Sequence, residues 1–157
     1  MQKITPFLWF DHQAEEAMNF YVSVFKNAQV GTVSRYGPGA PVPEGTVISC
    51  TFTLEGQNFM ALNGGPHYQL TPAFSLFVDC KSQAEVDYLW EKLCEGGTPS
   101  QCGWLTDRFG VSWQIIPEVL GEFLGDPDPE KSGRVMQAMM GMVKIDIAGL
   151  KKAYAGL

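Results

Sequence analysis

Few side chains in this chain are equipped for chemistry. The segment CGWLTDRFGVSWQIIP, residues 102–117, reads as two strand runs around a polar turn at Thr106-Asp107-Arg108, and its second run carries one amide, Gln114, among apolar neighbours. An amide can donate and accept hydrogen bonds, but it is a weak metal ligand beside imidazole, thiolate or carboxylate. Only two histidines are present. His67 follows the turn Asn63-Gly64-Gly65-Pro66; an imidazole titrating near neutrality is a candidate general base there, and the plainer alternative is a solvated loop residue. His12, between Asp11 and Gln13 at a helix start, reads as surface. Cys50, Cys80, Cys94 and Cys102 are spaced like neither a zinc site nor a CxxC pair, and a nucleophilic thiol needs a nearby base, so they read as free, packing thiols of a reducing compartment.

The elements that must position these groups come from a match of the chain to itself. Gln13-Ala14-Glu15 recurs 70 residues on as Gln83-Ala84-Glu85, and both copies follow a strand run and open a helix. In the first helix Ala14, Met18, Tyr21 and Phe25 make one apolar stripe; in the second Val86, Leu89, Trp90 and Leu93 do so, with Gly96-Gly97 as the stop. AQVGTVSRY, TVISCTFTLEG and QNFMALN follow the first helix, with a hairpin turn at Glu55-Gly56-Gln57; TPSQCGWLT and GVSWQIIP follow the second, around the Asp107 turn, with room for a short strand just after Gly97. Each half is β-α-β-β-β, which makes an internal duplication. TVISCTFTL alternates Ile48, Cys50, Phe52 and Leu54 with Ser49, Thr51 and Thr53, so one face packs on helices and the hydroxyl face lines solvent or a cavity.

Two stretches fall outside the repeat. GPGAPVPEG, residues 37–45, is too rich in Gly and Pro for regular structure and reads as a surface loop or a flap. The tail from Glu118 has a stop at Asp126-Pro127-Asp128-Pro129, then helical spacing through Val135, Met139, Met142, Leu150 and Tyr154. With Met136 and Met140 it offers a soft apolar surface for its own chain or a partner subunit, so a homodimer is expected. The expected division is 1–65, 66–120 and 121–157, within one structural domain.

Bulk properties narrow the function. Of 157 residues, 45% are apolar and 18% charged, enough hydrophobic material for a globular core. The net charge of -6, with 11 scattered Lys and Arg, argues against a nucleic-acid partner. No apolar run is long enough for a membrane span, and the opening MQKITPFLWFDHQAEEA carries no cleavable apolar region, so no membrane is expected and the expected address is cytoplasmic.

FLWFDHQAEEAMNFY, ALNGGP, PAFSLFVDC and GWLTDRFGVSWQI, in this order and spacing, resemble the vicinal oxygen chelate superfamily of glyoxalase I, bleomycin-resistance proteins and extradiol dioxygenases. LWF, GGP and FGVSWQI are similar to its PhnB-like branch, some members of which carry the name 3-demethylubiquinone-9 3-methyltransferase. The resemblance covers roughly residues 1–120. It implies an α+β fold in which paired βαβββ modules form a cupped mixed sheet with helices on the outer face, here followed by a C-terminal helical tail.

Metal-dependent members hold their ion with His, Glu or Gln from the first, third, fifth and last strands. Carried onto this chain, that pattern falls at about Thr5, Ser49, Ala73 to Ser75 and Gln114, of which only Gln114 can bind a metal. No metal and no cofactor is therefore expected. Continued alternation gives an inward set of Thr5, Phe7, Trp9, Ser49, Thr51, Ser75, Phe77, Ser112 and Gln114, with His67 at the rim: aromatic walls and neutral polar groups suited to a small-molecule ligand. Binding without chemistry, as bleomycin-resistance proteins do by sequestration, is the leading expectation. Three alternatives remain: a metal-dependent lyase, isomerase or dioxygenase; a methyltransferase as the family label says, although no glycine-rich turn follows the first strand; and a dimeric module whose cup is filled by its own side chains.

Overall fold

The computed structural model describes residues 2–157. The chain divides into two compact units, Met1–Leu70 and Thr71–Leu157. The first runs β1 (Phe7–Phe10), α1 (Ala14–Val24), β2 (Ala28–Arg35), β3 (Val47–Leu54) and β4 (Gln57–Asn63). Its sheet has the order β1-β4-β3-β2, with β1 parallel to β4 and the other pairs antiparallel. The second repeats this plan with β5 (Ser75–Cys80), α2 (Gln83–Cys94), β6 (Thr98–Pro99), β7 (Trp104–Thr106) and β8 (Ser112–Pro117), in the order β5-β8-β7-β6. Identical topology in both halves is what the duplicated sequence grammar predicts. The expected mixed sheet is present as two four-stranded sheets, one per unit.

In the first unit Leu8, Phe10, Cys50, Phe52, Leu54, Phe59 and Ala61 are buried together with Ala14, Ala17, Met18, Tyr21 and Val24 of α1. Period-two strands and a period-3.6 helix thus present their apolar sides to one core. The α1 N-terminus is capped from a distance: Asn63 Oδ1 accepts from Ala14 N at 2.8 Å. Glu55 and Gly56 both have positive φ, 49° and 82°, which makes the tight β3–β4 turn. Residues 37–45 form the β2–β3 loop, closed at its base by Tyr36 N to Thr46 O and Gly45 N to Tyr36 O, both 2.9 Å.

In the second unit α2 starts on an N-cap, Ser82 Oγ accepting from Glu85 N, while Glu85 Oε2 accepts from Lys81 N one residue before the cap, each at 3.1 Å. Val86, Leu89 and Leu93 are buried, while Trp90 is half-buried. The tail is helical, as expected, but it begins sooner: α3 (Glu118–Leu124) follows β8 without a linker. Asp126-Pro127-Asp128-Pro129 ends that helix and starts the next, because the Asp128 side chain caps α4 (Pro129–Met140). A further helix, α5 (Ile147–Ala155), closes the chain. The three helices make a core of Leu120, Val135, Ile145 and Leu150 around Ile116 of β8. Met139 and Met142 pack against it, whereas Met136 and Met140 are exposed.

Candidate functional site

Each sheet has a face turned away from its helix, α1 or α2, and the candidate residues lie on these two faces. On the first, strand register places Phe7, Met60 and Thr51 in one row and Trp9, Leu62 and Ser49 in the next. Phe7 is 50% exposed, and Thr5, Trp9, Ser49 and Thr51 are half-buried. Trp9 is pinned: its indole Nε1 donates to Gly65 O at 3.0 Å, and its ring lies so close over Gly64 that a Cβ there would fall on it. That contact explains Gly64 of the Asn63-Gly64-Gly65-Pro66 turn, and the positive φ of Gly65, 85°, explains its neighbour. Tyr68 meets Trp9 edge-on, with centroids 5.0 Å apart, and His67 meets Tyr68 at 4.7 Å. His67 is exposed and is joined to this face through Tyr68.

Thr51 has a structural duty that sequence reasoning missed. The β2–β3 register slips between Val30 and Val33, a β-bulge, and Thr32 N donates to Thr51 Oγ1 at 2.9 Å. A Cβ at Gly31 would fall on that same oxygen, so only glycine fits. Beside the bulge is a cavity of about 360 Å³, reached by Thr5, Gln29, Thr51, Thr53, Asn58 and Met60, with no ionisable side chain in its lining. Gln29, Gly31, Asn58 and Met60 were absent from the expected set. The signal available for them was a glycine inside a strand run, which marks a bulge or a close approach.

On the second sheet Ser75, Ser112 and Thr106 form a hydroxyl row, and Phe77, Gln114 and Trp104 form the next. Gln114 Nε2 donates to Ser75 Oγ at 3.0 Å, the diagonal contact a sheet allows. Phe77 is 59% exposed, whereas Ser112 is 2% exposed and its Oγ is the buried side-chain polar atom without a hydrogen-bond partner among the described residues. Ile116, on the same face by alternation, is covered by the tail helices. Trp104 and Thr106 were also missed, because the short β7 carries too little pattern to fix which side chains face out.

The β7–β8 turn is held by Asp107. This buried carboxylate accepts from Phe109 N at 2.9 Å and Val111 N at 3.0 Å through Oδ1, and from Trp113 Nε1 at 2.8 Å through Oδ2. Trp113 is thereby locked into the core, as its parity predicts, and Ser112 and Gln114 are left on the other face. The four cysteines are free. Burial, with a lesser push from Glu15, raises the Cys50 thiol to about 11; burial, with Glu85 and Asp79 adding, raises Cys80 to about 12. Such thiols are protonated at neutral pH and pack rather than attack.

The side chains do not fit the metal that the resemblance brings to mind. At the ligand positions stand the hydroxyls of Thr5, Ser49 and Ser75 and the amide of Gln114, whereas a divalent transition ion needs imidazole, thiolate or carboxylate. Among the described residues no group of three His, Cys, Asp or Glu side chains is placed to hold one.

The sequence profile of the family described as 3-demethylubiquinone-9 3-methyltransferase matches residues 2–116. The chain belongs to this family. A solved structure described as a putative 3-demethylubiquinone-9 3-methyltransferase, PhnB protein, from Bacillus cereus is 43% identical, with a TM-score of 0.69 over 74% of this chain and 99% of that one. Protein PA1353 from Pseudomonas aeruginosa shares the fold at 24% identity and TM-score 0.63, over 75% of this chain and 98% of that one. No curated protein matches. The PhnB-like resemblance read from LWF, GGP and FGVSWQI therefore holds, as does the α+β fold of paired βαβββ modules with a C-terminal helical tail. In this member of the 3-demethylubiquinone-9 3-methyltransferase family, α3 to α5 follow the matched region. No helix among the described residues is long and apolar enough to cross a membrane.

Proposed function

We propose that the chain binds a small organic molecule on the open sheet faces without a metal ion, with Thr5, Phe7, Trp9, Ser49 and Thr51 on one face and Ser75, Phe77, Ser112 and Gln114 on the other. His67 stands at the rim of the first. The observation that carries this is the pairing, on both faces, of exposed aromatic rings with neutral hydrogen-bonding groups, the lining typical of a ligand site. The unpartnered Ser112 hydroxyl supports it, since a buried polar atom ordinarily has a partner. A homodimer in the cytoplasm completes the proposal, with the exposed Met136 and Met140 among its candidate contacts.

Methyl transfer is the second reading, favoured by the family's description. Against it, β1 runs into α1 through Asp11-His12-Gln13 with no glycine-rich turn, and neither sheet is doubly wound. Native mass spectrometry beside elemental analysis tests the proposal. A dimer without metal, with or without an organic adduct, is expected. One divalent ion per chain would overturn the metal-free reading, and binding of S-adenosylmethionine would favour the second.

A further inference from the structure

The bulge cavity of the first unit stands out by what its lining lacks. Its walls carry the amides of Gln29 and Asn58 and the hydroxyls of Thr5, Thr51 and Thr53, with Met60 as apolar surface, and no acid, base or imidazole. In a chain with 28 Asp, Glu, Lys and Arg residues, a lining free of charge makes electrostatic selection against ions the chief property of the cavity. Its volume of about 360 Å³ falls in the range of small-ligand sites.

From this we infer that the cavity takes an uncharged ligand carrying a paired donor and acceptor, such as a carboxamide or lactam, and rejects carboxylates and cations. The inference rests on the small-molecule reading above and gives it a ligand class. An ion seated against this lining meets no opposite charge, whereas a neutral amide exchanges its water bonds for bonds of the same kind. Two side-chain amides supply a donor and an acceptor each. The Thr51 oxygen, already accepting from Thr32 N, keeps its O–H to donate. The bulge is what opens this corner of the sheet, and the absence of a side chain at Gly31 is what lets β2 lie against Thr51.

Benzamide, benzoate and benzamidine are planar, nearly isosteric and differ in charge, so they isolate the effect. Methyl-labelled protein is titrated with each, following the Thr5, Thr51, Thr53 and Met60 methyl signals. Benzamide is expected to shift them at least about tenfold more tightly than either ion. Asn58→Asp, at an exposed position that folding tolerates, is expected to weaken benzamide and to favour benzamidine. An ion bound in this cavity as tightly as benzamide would overturn the inference. Binding only near Gln114 in the second unit would also overturn it, while leaving the small-molecule reading intact. No shift in either unit from any of the three would defeat both.

Discussion

Asp107 does at residue scale what a loop anchor must: one carboxylate satisfies two backbone amides and an indole. Asp107→Ala removes the acceptor of three hydrogen bonds and is expected to cost about 3 kcal/mol or more, a fall on the order of 10 °C in melting temperature by thermal denaturation. Asp107→Asn is expected to be nearly as harmful, because its NH₂ would face either the Trp113 N–H or the turn amides. Ser112→Ala makes the opposite case: its Oγ has no partner among the described residues, so the change is expected within about 0.5 kcal/mol of neutral in the same experiment. A loss well beyond that would mean that the hydroxyl has a partner in solution. These two roles were unequally legible in the sequence. DRFG announces a turn by composition, but nothing local tells that Asp107 reaches Trp113, since that bond exists only once β8 has paired with β7.

The elements were read best where pattern is repeated. Both helices and the long alternation Val47–Leu54 follow from periodicity, and the duplicated Gln-Ala-Glu gives the order of elements. The bulge in β2 was not legible, because a register slip depends on the partner strand, and Thr51 looked free when it is the brace for Thr32 N. Thr51→Val keeps the shape and removes the acceptor; it is expected to destabilise by about 1 kcal/mol in denaturant unfolding and to speed hydrogen exchange at Thr32 N. The tail elements carry a pH dependence. Hydrogen bonds from Lys144 and Gln83 hold the Asp87 carboxyl below its usual range, and one from Tyr154 does so for Asp126. Both carboxylates are solvent-exposed, so the effect is small. Its sign is fixed: the stabilisation is full above the unfolded carboxylate value of about 3.9 and is lost as pH falls through the lower folded values. Amides of α4 and α5 are expected to exchange faster, relative to α1, in that acid window.

At the scale of the whole molecule, the family match ends at residue 116 while the fold continues. Ile116 belongs at once to β8 and to the core of α3 to α5, and Cys102 N and Gly103 N in the β6–β7 connection bond Met142 O and Val143 O at 2.8 Å, so the second unit and its tail share both packing and backbone hydrogen bonds. Helical spacing indicated the tail helices and their apolar stripe, but could not say that the methionine patch divides, with Met139 and Met142 inward and Met136 and Met140 outward. A chain stopped after Pro117 would therefore not be a trimmed version of the same molecule. It would bare Ile116 and leave the amides of Cys102 and Gly103 without acceptors, presenting a greasy end bordered by unpaired backbone. Such a surface invites self-association. On size-exclusion chromatography that truncation is expected in the void volume or the pellet, whereas a version lacking only the exposed Leu157 should stay in solution. The tail is, in that sense, a cover: it closes over Ile116 and supplies the acceptors that the Cys102 and Gly103 amides would otherwise lack.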